Sequence, residues 1–233
     1  MKLTTFLSNQ GYDIIQGPVR NHKPLQLWLK RPFDEAQLYY AHIEHAFKSN
    51  IILNEIVNPA LNVNSNHKDD YGFNIGITLL QQIMETLGLG NFELTSKIKS
   101  GKKVTISYDN SITKEYAVGN LEDYMFNADF LHPNPALLKN ANRNYILVIS
   151  GIVFAKNVIV DIETDFVVDN NLTASLNEIA SGKVDFSVNS QNQLKMVSNT
   201  DTLFPIAVKA NRIDYDKSRF KKLKLVTDTN DIF

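Results

Sequence analysis

The chain of 233 residues has no cysteine. That removes disulfide cross-links, thiolate nucleophiles and cysteine-ligated zinc together. Long apolar runs are missing too: nothing approaches the roughly 18 uninterrupted apolar residues that a spanning helix needs. The richest stretch, YILVISGIVFA at Tyr145 to Ala155, is shorter and rich in β-branched residues, so it reads as a buried strand. Met1 to Gly11 carries only scattered apolar residues and no signal-peptide core, so the expected starting compartment is the cytosol. Charge of one sign is also absent. Lys and Arg total 24 against 25 Asp and Glu, a formal charge of -1. Phosphate-dominated affinity needs a basic surface or stripe, so a polybasic nucleic-acid binder is disfavoured. What remains, 43% hydrophobic and 21% charged residues, suffices to bury a core and argues against global disorder.

Catalytic signatures are equally scarce. There is no phosphate-binding loop of the Walker type and no G-x-S-x-G elbow. GLGNF at Gly88 to Phe92 lacks the third glycine of a dinucleotide loop and follows a helix pattern, so it reads as a cap and turn. His42 and His45 in HIEH are three apart, not the four of zinc proteases, and no third ligand is signalled. Carboxylate pairs such as Asp69 with Asp70 and Glu122 with Asp123 read as solvated charge. The expectation is a protein without catalytic residues, metal or cofactor.

The periodicities predict helices interspersed with antiparallel hairpins and no regular βαβ rhythm, hence an α+β fold in one domain. LTTFLSNQG reads as a first helix closed by Gly11, and YDII and PLQLWLKR as two strands of a tight hairpin around a Gly-Pro turn, ending on Lys30 and Arg31. DEAQLYYAHIEHAF has helical spacing. Asn50 to Asn64 alternates like a strand, broken at Pro59. GFNIGITLLQQIMETLGLG has the strongest helical face in the chain. NFELTSKIKSGKKVTISYD reads as a hairpin, SITKEYAV as a further strand, and NLEDYMFNADF and NPALLKNA as short helices. A long strand spans Asn144 to Val168; NLTASLNEIASG is a helix with an asparagine cap; KVDFSVNSQNQLKMV is a hairpin; LFPIAVKANRI is the last strand. The tail then changes character, with Lys217, Arg219, Lys221, Lys222 and Lys224 set among Phe220, Leu223 and Leu225 before an acidic, apolar end.

Three segments, in order, carry a resemblance to a known family. GYDIIQGPVRNHKPLQLWLKRP resembles the start of gasdermin pore-forming domains. IKSGKKVTISYDN with NLEDYM is similar to the strand and helix that follow the family's main amphipathic helix, and NYILVISGIVFAKNVIVD to its central strand. The match runs from Leu3 to Val168, and the length is that of bacterial gasdermins. The resemblance implies a twisted, mainly antiparallel sheet with surrounding helices. It also implies a soluble monomer masked by its own C-terminus. An activating protease, caspase-like or trypsin-like, removes the mask, and many copies then open a β-barrel pore in the inner membrane during antiphage defence.

Mapped onto this chain, residues 1–214 are the expected pore-forming body and 215–233 an autoinhibitory tail. Phe220, Leu223, Leu225, Ile232 and Phe233 are the tail's apolar anchors. Arg219, Lys222 and Lys224, and for a caspase-like enzyme Asp228, are the cleavage candidates. Lys2, Arg20, Lys23, Lys30 and Arg31 form the expected contact with anionic lipids, each cation contributing on the order of 1 kcal/mol near such a surface. Bacterial relatives carry a lipidated cysteine near the N-terminus; Leu3 is nearest to that position here. Asn50 to Asn64, Ile112 to Val118, Val158 to Phe166 and Val184 to Val188 alternate as barrel strands must, and as any half-exposed sheet does. The competing reading is a cytosolic binding or immunity-type module that never inserts.

Overall fold

The computed structural model describes residues 3–15, 22–59, 69–72, 101–131, 135–198 and 203–227. In chain order the elements are α1 (Leu3–Asn9), β1 (Asp13–Ile14), β2 (Leu27–Leu29), β3 (Gln37–Tyr40), a 3-10 turn (Ile43–His45), β4 (Phe47–Lys48), β5 (Ile56–Asn58), β6 (Asp69–Gly72) and β7 (Gly101–Glu115). There follow α2 (Val118–Phe126), β8 (Asp129–Phe130), α3 (Pro135–Asn142), β9 (Ile146–Thr164), α4 (Asn170–Ala180), β10 (Val184–Ser190), β11 (Gln193–Ser198), β12 (Phe204–Asp216) and β13 (Arg219–Leu225).

The spine is β9. One edge pairs first with β2, Leu29 opposite Ile146, and then along the whole of β7, from Glu115 opposite Gly151 to Gly101 opposite Thr164. The other edge pairs with β12, from Arg212 opposite Leu147 to Phe204 opposite Ala155, and then with β11. All of these pairings are antiparallel. β10 extends the sheet beyond β11, while β1 and β13 extend it beyond β12.

The composition of β9 follows from this position. Ile146 to Val153 is buried on both faces, because apolar layers lie on either side of the sheet there. Ile146 and Val148 meet α2 and α3 through Leu121 and Leu137; Leu147 and Ile149 meet Trp28 and Val208. Farther along, Val158, Val160 and Ile162 face a third cluster with Leu7 of α1 and Leu176 of α4. Ser150 is an extra residue between Gly151, opposite Lys209, and Ile149, opposite Ala210. Its hydroxyl stays satisfied by donating to Asn211 Oδ1 at 2.6 Å.

The mainly antiparallel sheet with flanking helices is the expected class, and α1, α3, the long strand, α4 and the β10–β11 hairpin lie where the periodicities put them. Several local expectations are corrected. β1 pairs with β12 and β2 with β3 and β9, so the two opening strands are not each other's partners. The helix expected from Asp34 to Phe47 is instead β3 and a 3-10 turn. Tyr39 and Tyr40 fit a pleated surface, and pairing with β2 overrides weak helical spacing. SITKEYAV does not start a new strand, since β7 runs unbroken to Glu115. The helix of NLEDYMFNADF stops at Phe126, and Asp129 and Phe130 pair with β4. The cap of α4 is Asp169, accepting from the Leu172 N–H at 2.8 Å, not an asparagine. β12 is not the last strand, because β13 follows. Of Asn50 to Asn64, the described part is a strand only at β5. Of the helix expected across GFNIGITLLQQIMETLGLG, Gly72 closes β6 instead, and the remainder, with the first arm of the next hairpin through residue 100, lies outside the described residues.

Because β9 is bonded on both edges and covered on both faces, its side chains cannot be thinned without a cavity. Ile149→Ala should cost about 2–5 kcal/mol in a urea-denaturation comparison with the parent chain.

Candidate functional site

Two neighbouring features stand out at one end of the sheet. The first is the seat of the C-terminal strand. β13 pairs with β12 from Arg219 opposite Asp216 to Leu225 opposite Asn211, around a turn in which Lys217 and Ser218 both have positive φ, 49° and 63°. Leu223 and Val226 are buried, and half-buried Phe220 sets its ring edge-on to Tyr215 at 6.2 Å. The body holds this strand by polar contacts as well. Glu122 of α2 accepts from the Leu223 N–H at 3.1 Å, and Asn142 of α3 accepts from the Ser218 N–H at 2.6 Å. The Tyr215 N–H donates to Asn144 Oδ1 at 2.7 Å.

Of the expected tail anchors, Phe220, Leu223 and Leu225 therefore lie against the body, and Ile232 and Phe233 lie outside the described residues. Arg219, Lys222 and Lys224 are exposed but sit within the β12–β13 ladder, and Asp228 lies outside the described residues. The boundary placed at residue 214 falls inside β12. Sequence reasoning missed Val226 and Thr227, and it read Glu122 as solvated charge, whereas its carboxylate accepts from the Leu223 N–H. Their roles depend on partners far away in the chain, and no local pattern marks them.

The second feature is a basic groove of about 580 Å³, lined by Lys30 and Arg31 beyond β2, Arg143 beyond α3, Arg212 of β12 and Val226 beyond β13. Lys30 Nζ donates to the Asp34 carbonyl, Arg31 pairs with Asp34 at 3.9 Å, and Arg212 Nε donates to Asp214 Oδ1 at 2.6 Å. Two carboxylates thus face part of the charge of four cations. At its rim Phe33 is fully exposed and has φ 66°. Lys30 and Arg31 were expected on sequence grounds; Arg143 and Arg212 were not, since only the fold carries them there. Lys23 is exposed and does not line the groove, while Lys2 and Arg20 lie outside the described residues. Side-chain placement is not described at Leu3, the first residue of α1.

Among the described residues no group of His, Asp or Glu is arranged to hold a metal, and no helix is long and apolar enough to cross a membrane, which says nothing of strands. His42 caps the 3-10 turn, its Nδ1 accepting from the Glu44 N–H at 3.4 Å.

The sequence profile described as the Bacterial Gasdermin Family matches residues 15–221. The chain belongs to the bacterial gasdermins, and so to a family of pore-forming proteins. Its fold is similar to the structure of a bacterial gasdermin from Bradyrhizobium tropiciagri, with a TM-score of 0.62 at 12% identity over 95% of this chain and 90% of that one. A cryo-EM structure of the Gasdermin A3 membrane pore aligns over 95% of this chain and 89% of that chain at 10% identity, with a TM-score of 0.35. No curated protein matches the chain.

Burial raises the hydroxyls of four tyrosines, Tyr12, Tyr116, Tyr124 and Tyr215, above their ordinary value. Burial, with Glu44 adding to it, pushes the Tyr124 hydroxyl from 10.0 up to about 12; it donates to the Phe47 carbonyl at 2.8 Å. Burial raises Tyr215 as well, and burial followed by the bond to Glu115 raises Tyr12. A raised tyrosine keeps its proton when folded above the pH at which the unfolded chain releases it, so the contribution is whole below pH 10.0 and fades up to about pH 12 for Tyr124. Urea midpoints should fall between about pH 10 and about pH 12, and Tyr124→Phe should lose less over that range than the parent.

Proposed function

We propose that this chain is an autoinhibited pore-forming protein whose resting state depends on its C-terminal residues 215–233. Proteolytic removal of that segment activates the body, which assembles with other copies into a β-barrel in the membrane. The carrying observation is the way β13 is held: a strand at the margin of the sheet, zipped to β12 on one side and seated on α2 and α3. A marginal strand is the element that a sheet loses with least disruption of its remaining pairs. Full burial of Leu223 and Val226 contributes about 1.5–3 kcal/mol each, a hold that is firm while intact and lost once the strand departs.

A body of this kind reaches the bilayer through the basic groove. Lys30, Arg31, Arg143 and Arg212 meet anionic headgroups, and the exposed ring of Phe33 enters the interface beside them. Barrel strands suit such a protein because every backbone group in the bilayer must be paired. The biological reading is cell death during antiphage defence, with the resting form in the cytoplasm and the cleaved form in the inner membrane. The protein's own chemistry is not enzymatic; the activating protease supplies the covalent step.

Replacing the Lys217–Ser218 turn with the recognition sequence of a site-specific protease allows the chain to be cut on demand. Cut protein should release dye from vesicles rich in anionic lipid, and intact protein should not. Silence after complete cutting would favour the binding-module reading instead. In the same assay, reversing Arg31 and Arg143 together to Glu should lower vesicle association at least tenfold at low salt and less at high salt, as surface electrostatics require. Unchanged association would remove the groove from the docking surface.

A further inference from the structure

The two ends of the described chain meet at Gly11. Its φ of 80° closes α1: the Gly11 N–H donates to the Ser8 carbonyl at 2.9 Å and the Tyr12 N–H to the Leu7 carbonyl at 3.0 Å. The same residue leaves room for the C-terminal strand, since a Cβ at this position would lie 3.1 Å from Leu225 Cδ2. Thr227, almost fully buried, donates its hydroxyl to the Gly11 carbonyl at 2.6 Å and accepts from the Ala210 N–H at 3.1 Å. One hydroxyl therefore ties the residue two beyond α1, the middle of β12 and the residue two beyond β13. Only a group that donates and accepts at once can fill that position; serine and threonine can, valine cannot.

The N-terminal segment is tied at other points as well. Asp13 and Ile14 pair with β12, the Ile15 N–H reaches the Ile206 carbonyl at 3.1 Å, and Tyr12 donates to Glu115, itself paired with Lys209 at 3.6 Å. Leu7, buried, and Phe6, partly buried, supply apolar contacts of α1 with the core, and Tyr12 and Ile14 belong to the same cluster.

We infer that Thr227 is a lock joining the N-terminal segment, residues 3–15, to the C-terminal strand, so that the two ends are released as one unit. Loss of β13 with Thr227 then loosens α1 and β1 as well as opening the edge of β12. Removal of residues 228–233 alone leaves the lock shut. The consequence for activation rests on the pore-forming reading; the lock does not.

Hydrogen exchange of the full chain tests the lock without a membrane. Thr227→Val leaves two buried polar groups without the hydroxyl, and exchange across residues 3–15 should speed up on the order of tenfold while β9 stays protected. Thr227→Ser should exchange as the parent does. Equal acceleration in β9, no change at residues 3–15, or a serine variant that behaves like valine overturns the lock. The second arm places the protease site either in the Lys217–Ser218 turn or after Thr227 and follows dye release from anionic vesicles. Release after the first cut and not the second supports the gate; release after the second overturns it. Silence from both, with selective exchange in Thr227→Val, leaves the lock standing and removes the pore-forming reading.

Discussion

The structure depends on β9 being hydrogen-bonded along both edges. Nineteen residues of extended backbone offer donors and acceptors on each side, and burial makes an unpaired group expensive, so each stretch of edge must find a strand. β2 and β7 take one edge and β12 and β11 the other. The helices follow from this, because an apolar strand buried on both faces needs cover on both. Even the departure at Ser150 is accommodated, with the extra hydroxyl turned onto Asn211.

Strands farther from β9 are held by less. Among the described residues β13 has one ladder partner, β12, and a few side-chain bonds from α2 and α3; β1 contributes a short stretch beside it. Stability in such a sheet falls from spine to margin, which is the gradient a protein needs if part of it must come away while the remainder persists. The other margin is managed differently. The Asn177 amide of α4 donates to the Phe186 carbonyl at 2.9 Å and accepts from its N–H at 2.6 Å, standing in for a strand along that part of β10.

Charge follows the same division. The chain is close to neutral overall, yet the fold gathers Lys30, Arg31, Arg143 and Arg212 around one groove. Asp34 and Asp214 offset some of that charge. A near-neutral protein with a local basic face stays free of general polyanion binding while keeping a directional attraction to an anionic surface.

Several elements could be read from the sequence because their cause is local. Alternating Val158, Val160 and Ile162 mark a strand with one buried face, Gly11 marks the close of α1, and Pro135 marks the first turn of α3. The order of three weak motifs was enough to point to the family, since each rests on such local chemistry. Other assignments had no local cause. Tyr39 and Tyr40 became a strand because β2 lay beside them; β1 paired with a strand almost 200 residues later; Arg143 and Arg212 became neighbours of Arg31 only through the sheet. Thr227 looks like any threonine near a charged tail until folding brings Gly11, 216 residues away, to its hydroxyl. Periodicity records which face of an element is apolar. It carries no information about which distant backbone that face or edge will meet, and here that choice was made by the unmet hydrogen bonds of β9 and β12.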